Sequence, residues 1–348
     1  MRCHIVPPHM LERIAREADD PAIRGRARRT LALTSAQFAE RRTAAAAAPS
    51  PSEDFVPKRT INDAGHLETL PGRTVRAEGA PATGDATADR AYDWLGATFD
   101  FFEAVYRRDS IDGAGLPMIS TVHYGAGYDN AFWNGEQMVY GDGDGVLFTD
   151  FTGPLDVTGH ELVHGVTQYA ANLEYYGQSG ALNESVSDVF GSLVKQWHLG
   201  HGADQADWLI GEGLLASGVN GVALRSMKEP GTAYDDPQLG KDPQPAHMDH
   251  YVDTYRDNGG VHINSGIPNR AFFLAATAIG GNAWQKAGLI WYDTLTAGSL
   301  AADVDFAGFA AATVTAATAR YGAGSAEAEA VSRAWTGVGV SLGANETQ

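Results

Sequence analysis

The stretch from Thr158 to Asp188, TGHELVHGVTQYAANLEYYGQSGALNESVSD, decides how this chain must be organised. It contains the pattern His-Glu-x-x-His at His160, Glu161 and His164, and residues four apart lie on one face of a helix. Both imidazoles can therefore bind one metal ion, with the Glu161 carboxylate beside them. A catalytic zinc ion usually has three protein ligands and one position for water, which predicts a third ligand elsewhere in the chain.

The end of the stretch, Asn183-Glu184-Ser185-Val186-Ser187-Asp188, supplies candidates for that ligand. Glu184 and Asp188 are four residues apart on a second predicted helix, so that one can bind the metal while the other supports a ligand from behind. For His-Glu-x-x-His alone, the alternative is a surface helix with two unrelated histidines. The acidic pair that begins twenty residues after His164 favours a zinc site.

At this point the sequence resembles a known family. GHELVHGVTQY and GALNESVSDVFG are similar to motifs of thermolysin and its relatives, the neutral zinc metalloendopeptidases, and DNGGVHINSG at 257–266 extends the likeness. Pro-Pro-His-Met-Leu at 7–11 is similar to the short propeptide of the protealysin-like branch. The resemblance implies an α+β fold of two domains, β-rich and then mainly α-helical, with the zinc cleft between them.

The resemblance also implies roles for individual residues. The ligands of one zinc ion would be His160, His164 and Glu184. The residues that support them would be Asp188 behind His160 and Asn183 behind His164. Glu161 would take a proton from the attacking water and pass it to the leaving amine. The donors to the oxyanion would be His262, which Asp257 orients, and Tyr175.

A further set of residues is implied to bind the substrate. Asn130 and Ala131 resemble an edge strand that binds a peptide backbone by strand addition. Arg225 resembles an arginine that binds substrate carbonyl groups, a role that suits its five fixed donors. The pocket for the residue after the cut would be lined by Phe148, Phe151, Val157 and Leu224. Ordinary core packing is the alternative for these apolar residues, because pocket walls and cores share a composition.

The chain departs from the family at the positions of a double calcium site. Those positions are Asp156, Lys195, Asp207, Leu209 and Glu212. Asp156, Asp207 and Glu212 keep their acidic side chains, but an ammonium group at Lys195 can replace a divalent ion by salt bridging. We therefore expect no double calcium site and at most one weak calcium ion. The Gly-Asp repeat at 140–145 lacks the EF-hand pattern and predicts a tight turn.

Composition limits the classes of partner. The chain has 348 residues, enough for about two domains, and a net charge of −18, which argues against nucleic acid or an anionic membrane as partner. Cys3 is the single cysteine, so no internal disulfide can form. We expect a monomer whose partners are peptide or protein substrates, its own propeptide in cis, and a small protein inhibitor.

The amino-terminal fifty residues differ from the rest in charge. Residues 1–50 contain nine arginines and five acidic residues, whereas the remainder carries a net charge of −22. A basic segment that docks on an acidic body predicts a propeptide at 1–50, followed by a β-rich domain at 51–168 and a helical domain at 169–348. A disordered leader is the alternative. The thiolate of Cys3 could take the open zinc position, or Cys3 could be incidental.

The first twenty residues are polar and contain Pro7-Pro8, so they lack the apolar core of a secretory signal. We therefore predict a protein that is cytoplasmic as synthesised, with any export by a non-classical route.

Hydrophobic periodicity predicts the remaining elements. The amino-terminal segment would contain helices at 10–18 and 34–42 and an exposed joint at 43–52. The β-rich part would contain a hairpin at 56–70, a helix at 89–107 and strands at 118–124, 131–134, 138–141 and 146–148. Four helices would close the chain near 267–280, 283–298, 304–321 and 325–337.

The sequence thus predicts a zinc endopeptidase, made as a zymogen, that prefers a bulky apolar residue on the carboxyl side of the cut. Two alternatives remain. An aminopeptidase would need a group that captures a free amino terminus, and no motif supplies one. A zinc-stabilised binding protein would be the natural interpretation if Glu161 or His262 were missing, and both are present.

Overall fold

The computed structural model describes residues 3–39 and 55–342, including the side chains of residues 4–34 and 55–342. Its fold is α+β, as predicted, with a sheet in the first half of the chain and helices in the second. The predicted joint at 43–52 and the predicted boundary after residue 50 lie outside the described residues. Within the described ranges, no helix combines the length and the apolar character needed to cross a bilayer.

Six strands form the main sheet, in the order β1-β5-β6-β4-β2-β3. The strands are β1 Cys3–His4, β2 Arg59–Asp63, β3 Arg73–Ala77, β4 Met118–Val122, β5 Ala131–Trp133 and β6 Met138–Tyr140. The pairs β2–β4 and β4–β6 are parallel, and the other pairs are antiparallel. The carboxyl ends of β2, β4 and β6 therefore lie side by side at one end of the sheet.

Helices account for most of the remaining described chain. They are α1 Pro8–Glu17, α2 Pro21–Ala39, α3 Ala86–Tyr106, α4 Leu155–Tyr169, α5 Gly177–Leu199, α6 Asp257–Asn264, α7 Gly266–Ile279, α8 Ala287–Thr296, α9 Phe306–Tyr321 and α10 Ala326–Gly337. Two short antiparallel pairs lie between α5 and α6: β7 Leu209–Ile210 with β8 Arg225–Ser226, and β9 Asp235–Asp236 with β10 Gly240–Lys241. The four closing helices, α7 to α10, lie where the periodicity predicts them.

The prediction for α2 is wrong at its start, because the helix begins at Pro21 and not near Thr34. Its buried positions are Ile23, Ala27, Thr30 and Thr34, which recur at helical spacing. Only the first of them is large and apolar. A stripe of small and polar residues gives little hydrophobic periodicity, although it packs α2 against α1.

The hairpin predicted at 56–70 is wrong in its second strand, because β2 pairs with β3 at 73–77. The intervening segment continues alongside the chain that follows β4. The backbone N–H of Ala64 donates to the Val122 carbonyl at 3.0 Å, and that of His66 donates to the His123 carbonyl at 2.8 Å. These bonds satisfy backbone groups that the second strand of the predicted hairpin would have used.

The strand predicted at 146–148 is also wrong, and the structure has only an isolated bridge there, between Phe148 and Leu215. The Asp144 carboxylate accepts the backbone N–H groups of Val146 and Leu147 at 2.9 and 2.7 Å. An aspartate that binds the backbone two and three residues ahead bends the chain out of a strand.

Helices α4 and α5 pack closely together and are buried over nearly their whole length. A Cβ atom at Gly191 would lie 2.6 Å from the Asp156 carbonyl oxygen, and one at Gly159 would lie 3.0 Å from the Gly191 Cα atom. Only glycine allows this approach of the two backbones. The contact brings Glu184 and Asp188 of α5 opposite His160 of α4.

Candidate active site

Three fully buried side chains from α4 and α5 direct one atom each at a common point. His160 Nε2 lies 3.0 Å from His164 Nε2 and 3.5 Å from Glu184 Oε2, and His164 Nε2 lies 3.4 Å from Glu184 Oε1. Ligand atoms around a tetrahedral zinc ion are about 3.3 Å apart. The two nitrogens and the carboxylate are thus the donor set and the spacing that zinc uses.

The other ring nitrogen of each histidine has a buried partner. Nδ1 of His160 lies 2.7 Å from Asp188 Oδ1, and Nδ1 of His164 lies 2.7 Å from Asn183 Oδ1. These partners direct the Nε2 lone pairs towards the common point. Ser187 Oγ, 3.0 Å from His164 Nδ1, is a contact that the sequence analysis missed. Its position four residues after Asn183 is the signal that could have found it.

Burial keeps both histidines neutral, which is the form that binds a metal. Desolvation lowers the pKa of His160 to about 4 and that of His164 to about 3. Glu184 Oε2 is buried and accepts no hydrogen bond from the described residues. A carboxylate oxygen in that position costs free energy unless a cation balances it, so the three residues fit a zinc ion.

Glu161 lies between the histidines in sequence, and the sheet edge fixes its carboxylate. The backbone N–H of Trp133 in β5 donates to Glu161 Oε2 at 2.9 Å. Burial, followed by the charge of Glu184, raises the pKa of the Glu161 carboxyl well above its ordinary value. A buried carboxyl of this kind can exchange protons with a reacting group.

His262 reaches the site from α6, where Asp257 fixes its ring. His262 Nδ1 lies 2.6 Å from Asp257 Oδ1, and the His262 backbone N–H donates to Asp257 Oδ2 at 2.9 Å. Burial opposes the charged imidazolium, but the carboxylates of Asp257 and Glu184 outweigh it and raise the pKa of His262 to about 9. The Tyr175 hydroxyl lies 3.3 Å from His262 Nε2 and also donates to Glu184.

The turn before His262 depends on a run of left-handed backbone. Asp257, Asn258, Gly259 and Gly260 have φ values of 52°, 50°, 85° and 76°. Asparagine, aspartate and glycine adopt this conformation more readily than other residues. A Cβ atom at Gly259 would also meet the backbone nitrogen of Gly177 at 2.9 Å. The sequence DNGG is therefore what allows the histidine to enter the site.

Arg225 in β8 forms a buried ion pair with Asp188. Its Nη2 and Nε atoms donate to the two Asp188 oxygens at 2.8 and 2.9 Å, and Asn269 Nδ2 donates to Asp188 Oδ2 at 2.8 Å. Burial raises the pKa of Asp188, but the charges of Arg225 and His160 outweigh it and lower that pKa below its ordinary value. Asn269 is a second residue that the sequence analysis missed, since nothing in its local pattern distinguishes it from other helical asparagines.

Residues 4–6 of the amino-terminal segment lie across this site. β1 pairs antiparallel with β5, and the Ile5 backbone N–H donates to the Ala131 carbonyl at 3.1 Å. Arg225 Nη1 donates to the Ile5 carbonyl at 3.0 Å, and His262 Nε2 lies 3.0 Å from the His4 carbonyl oxygen. The Asn130 side chain binds both backbone groups of Val6, at 2.9 and 3.2 Å.

The Ile5 side chain is fully buried and belongs to the main hydrophobic cluster. The four residues predicted to line an apolar pocket, all buried, belong to the same cluster: Phe148, Phe151, Val157 and Leu224. The backbone of Cys3 is paired with Trp133, but its side chain lies outside the described residues, so the predicted thiolate ligand stays a prediction.

The predicted calcium positions form an ion-pair cluster around Lys195. Its Nζ atom lies 2.7 Å from Asp156 Oδ2 and 2.9 Å from Asp207 Oδ2, and it donates to the Leu209 carbonyl at 3.1 Å. Burial opposes the charge on Lys195, but the two carboxylates outweigh it and raise its pKa above its ordinary value. The ammonium group therefore lies among the oxygens that would otherwise face a cation.

Comparison with known proteins finds thermolysin-type metallopeptidases that match nearly the whole chain. The thermolysin metallopeptidase catalytic domain matches residues 62–168, and the thermolysin metallopeptidase alpha-helical domain matches residues 171–340. An extracellular metalloprotease of Pectobacterium carotovorum subsp. carotovorum is 52% identical over 98% of this chain and 97% of its own. The solved precursor of protealysin, a metalloproteinase from Serratia proteamaculans, is 54% identical with a TM-score of 0.89, over 97% of this chain and 100% of that one.

The names of two relatives contradict the predicted cytoplasmic location. The Pectobacterium relative is an extracellular metalloprotease. A relative from Serratia marcescens, 51% identical over 63% of this chain and 64% of its own, is an extracellular minor metalloprotease. The prediction is therefore wrong. It rested only on the polar character of the first residues, which reports on one export route and carries no information about others.

The sequence resemblance and the comparisons rest on different observations. The resemblance came from a few short motifs, whereas the matches cover both halves of the chain and the solved precursor shares its fold. The family is zinc-dependent, and the buried group of His160, His164 and Glu184 has the donors that zinc needs. The chain therefore belongs to the thermolysin family of metallopeptidases.

Proposed function

We propose that this chain is the zymogen of a zinc-dependent endopeptidase, and that its own residues 3–6 block the substrate groove. One observation carries the proposal: backbone groups of residues 4–6 bind to Asn130, Ala131, Arg225 and His262. Strand addition to a sheet edge is a standard way to bind an extended peptide. A substrate would use the same contacts in the same direction.

The pose of β1 supports a proposed role for each residue of the site. The His4–Ile5 bond is the peptide bond at the reacting position, since His262 faces its carbonyl oxygen and Ala131 faces the following N–H. His160, His164 and Glu184 would hold a zinc ion, which would polarise the scissile carbonyl and lower the pKa of bound water to about 7. Glu161 takes a proton from the attacking water and passes it to the leaving nitrogen. His262 and Tyr175 donate hydrogen bonds to the developing oxyanion.

The same pose supports an endopeptidase over an aminopeptidase. Residues lie on both sides of the reacting bond, because Cys3 and His4 pair with β5 before it and Val6 binds Asn130 after it. An aminopeptidase would close the groove beyond the first residue. Ile5 then marks the residue that follows the cut, and its burial in the cluster of apolar pocket residues supports a preference for a bulky apolar side chain.

The proposed organisation is a propeptide at 1–50, a β-rich domain at 51–168 and a helical domain at 169–348. Besides β1, α1 contributes to the block: its residues Met10, Leu11 and Ile14 are buried in the main hydrophobic cluster. Peptide and protein substrates would replace this segment once it is removed. The Pro7-Pro8 pair fixes the backbone where the segment leaves the groove and enters α1.

A peptide with both termini blocked tests this proposal. We expect the processed enzyme to cut such a peptide before an internal leucine, and to lose this activity when a chelator removes zinc and regain it when zinc is returned. A peptide with aspartate in place of that leucine should be cut at least roughly tenfold more slowly, because the pocket would bury a charge. Cleavage that needs a free amino terminus would contradict the endopeptidase assignment, and full activity without metal would contradict the mechanism.

Calcium should add little stability to this protein. Because Lys195 already pairs with Asp156 and Asp207, a calcium ion would have to displace a buried ammonium group. We expect the melting temperature in millimolar calcium to equal that in a calcium-selective chelator, within experimental error. Lys195→Ala should destabilise the chain by about 3–5 kcal/mol, because it leaves the buried Asp156 carboxylate without a charged partner, with only the Gly211 N–H among the described residues still donating to it. A large rise in the melting temperature of the parent chain with calcium would show that the ion displaces the Lys195 ammonium group from the carboxylates.

A further inference from the structure

A second cluster of metal-binding side chains lies away from α4 and α5, at the end of the main sheet. It consists of His66, His123 and Asp142, whose candidate ligand atoms all lie within 4.8 Å of one another. These residues follow β2, β4 and β6, the three strands whose carboxyl ends lie side by side. Parallel pairing therefore gathers residues that are far apart in the sequence.

The distances within the cluster suit a small cation. Asp142 Oδ1 lies 2.8 Å from His123 Nδ1, and Asp142 Oδ2 lies 3.2 Å from His66 Nδ1. Ligand atoms of a tetrahedral zinc site are about 3.3 Å apart, so the two distances from Asp142 are each within about half an ångström of that spacing. Calcium prefers six to eight oxygens, whereas imidazole and one carboxylate suit zinc and its neighbours in the first transition row.

Asp85 supports this cluster in the way that carboxylates support metal-binding histidines. Its Oδ2 atom lies 2.8 Å from His123 Nε2, on the side of the ring opposite Asp142. Once an ion replaces the proton that Nδ1 shares with Asp142, a proton held on Nε2 by Asp85 leaves the Nδ1 lone pair directed at the cluster. Asp85 itself is fixed, because its Oδ1 atom caps α3 by accepting the backbone N–H of Thr87 at 3.0 Å.

The backbone at both histidines is held in an uncommon conformation. His66 and His123 have φ values of 62° and 53°, and the N–H of His66 donates to the carbonyl of His123 at 2.8 Å. A left-handed conformation is uncommon outside glycine, although histidine adopts it more readily than most residues. The His66 side chain is 61% exposed, and an ion pair at such exposure contributes little. A shared metal ion would hold the two side chains together more strongly than that ion pair does.

We propose that His66, His123 and Asp142 form a second zinc-class metal site, supported by Asp85, that joins the carboxyl ends of β2, β4 and β6. Three protein ligands with one exposed side leave the fourth position to water. The ion would tie the segment after β2 to the sheet and stabilise the amino-terminal half of the chain. It takes no part in peptide hydrolysis, because its ligands belong to other elements than the catalytic ones.

Zinc stoichiometry of the full-length chain tests this site. The chain should carry Glu161→Ala to prevent self-digestion, and zinc per chain should be measured after dialysis against micromolar free zinc. We expect two ions per chain, one for each of the two clusters. His66→Asn should leave one ion, and asparagine tolerates the left-handed backbone at that position, so the variant should fold. Retention of the catalytic ion would show that the His66→Asn variant has folded.

Two further variants sharpen the result. Asp85→Asn keeps the cap of α3, because asparagine caps as well as aspartate, but should weaken the second site at least roughly tenfold. His201→Asn removes a half-buried histidine elsewhere and should keep two ions. Zinc should raise the melting temperature of the parent but not of His66→Asn once the catalytic site is filled. One ion in the parent, or two in His66→Asn, would overturn the proposal.

Discussion

Replacing Glu161 by alanine is expected to abolish peptidase activity while leaving the catalytic zinc ion in place. The carboxylate is not among the three atoms that converge on the metal position, and the sheet edge holds it beside them through Trp133. Removing a general base and acid lowers kcat/KM by about 10²–10⁴-fold. The measurements are hydrolysis of a blocked peptide and zinc content per chain.

The same variant also reports on maturation. If the chain cuts its own propeptide, Glu161→Ala should accumulate at its full mass, whereas the parent is shortened. Glu161→Gln is the matched control for shape, since it keeps the side-chain volume and the hydrogen bond to Trp133 but cannot take up a proton. Substantial activity in either variant would remove Glu161 from the mechanism. Loss of zinc from Glu161→Ala would mean instead that the residue is needed for metal binding.

Replacing Ile5 by aspartate is expected to open the site in the uncut precursor. Ile5 is fully buried among apolar residues, and a carboxylate there would lose its hydration without gaining a partner. Each 1.4 kcal/mol of lost docking free energy changes the docked-to-undocked ratio about tenfold. We expect uncut Ile5→Asp to hydrolyse a small peptide at least roughly tenfold faster than the uncut parent. Intact-mass spectrometry of the assayed sample reports the uncut fraction.

Ala22→Asp is the matched control for this experiment. It introduces the same charge into the same segment, at an exposed position in the first turn of α2. An acidic residue in a first helical turn is tolerated, so the control precursor should stay as inactive as the parent. If uncut Ile5→Asp is also inactive, residues 3–6 do not block the groove. If the uncut parent is fully active, the amino-terminal segment has no inhibitory role.

Much of the candidate site could be predicted because its spacing follows helical geometry. His160 and His164 must share a face of α4, and Glu184 and Asp188 must share a face of α5. The resemblance then named Asn130, Ala131, Arg225 and His262, all of which the structure places around residues 4–6. No local pattern reveals the contact of Asn269, because a helical asparagine has the same appearance wherever it points, whereas the position of Ser187 four residues after Asn183 could have revealed its contact.

The parts that could not be predicted depend on contacts between distant segments. Residues 64–67 follow β4 rather than turning back, and this choice is made by backbone bonds to Val122 and His123. Likewise, α2 packs through alanine and threonine, which carry little hydrophobic signal. His66, His123 and Asp142 meet only once the parallel strands are paired. Local periodicity contains none of this information.

The buried Asp188 carboxylate has a consequence for how the active site can change. One oxygen, Oδ1, contacts both His160, which we propose binds the metal, and the Arg225 guanidinium, which we propose binds the substrate. With these proposed roles, metal retention and substrate recognition depend on a single anion. An engineer who alters Arg225 to change specificity also alters the charge that holds His160 in place, so the two properties are not independently adjustable. Variants with new specificity are more accessible through the apolar pocket residues, which have no such shared partner.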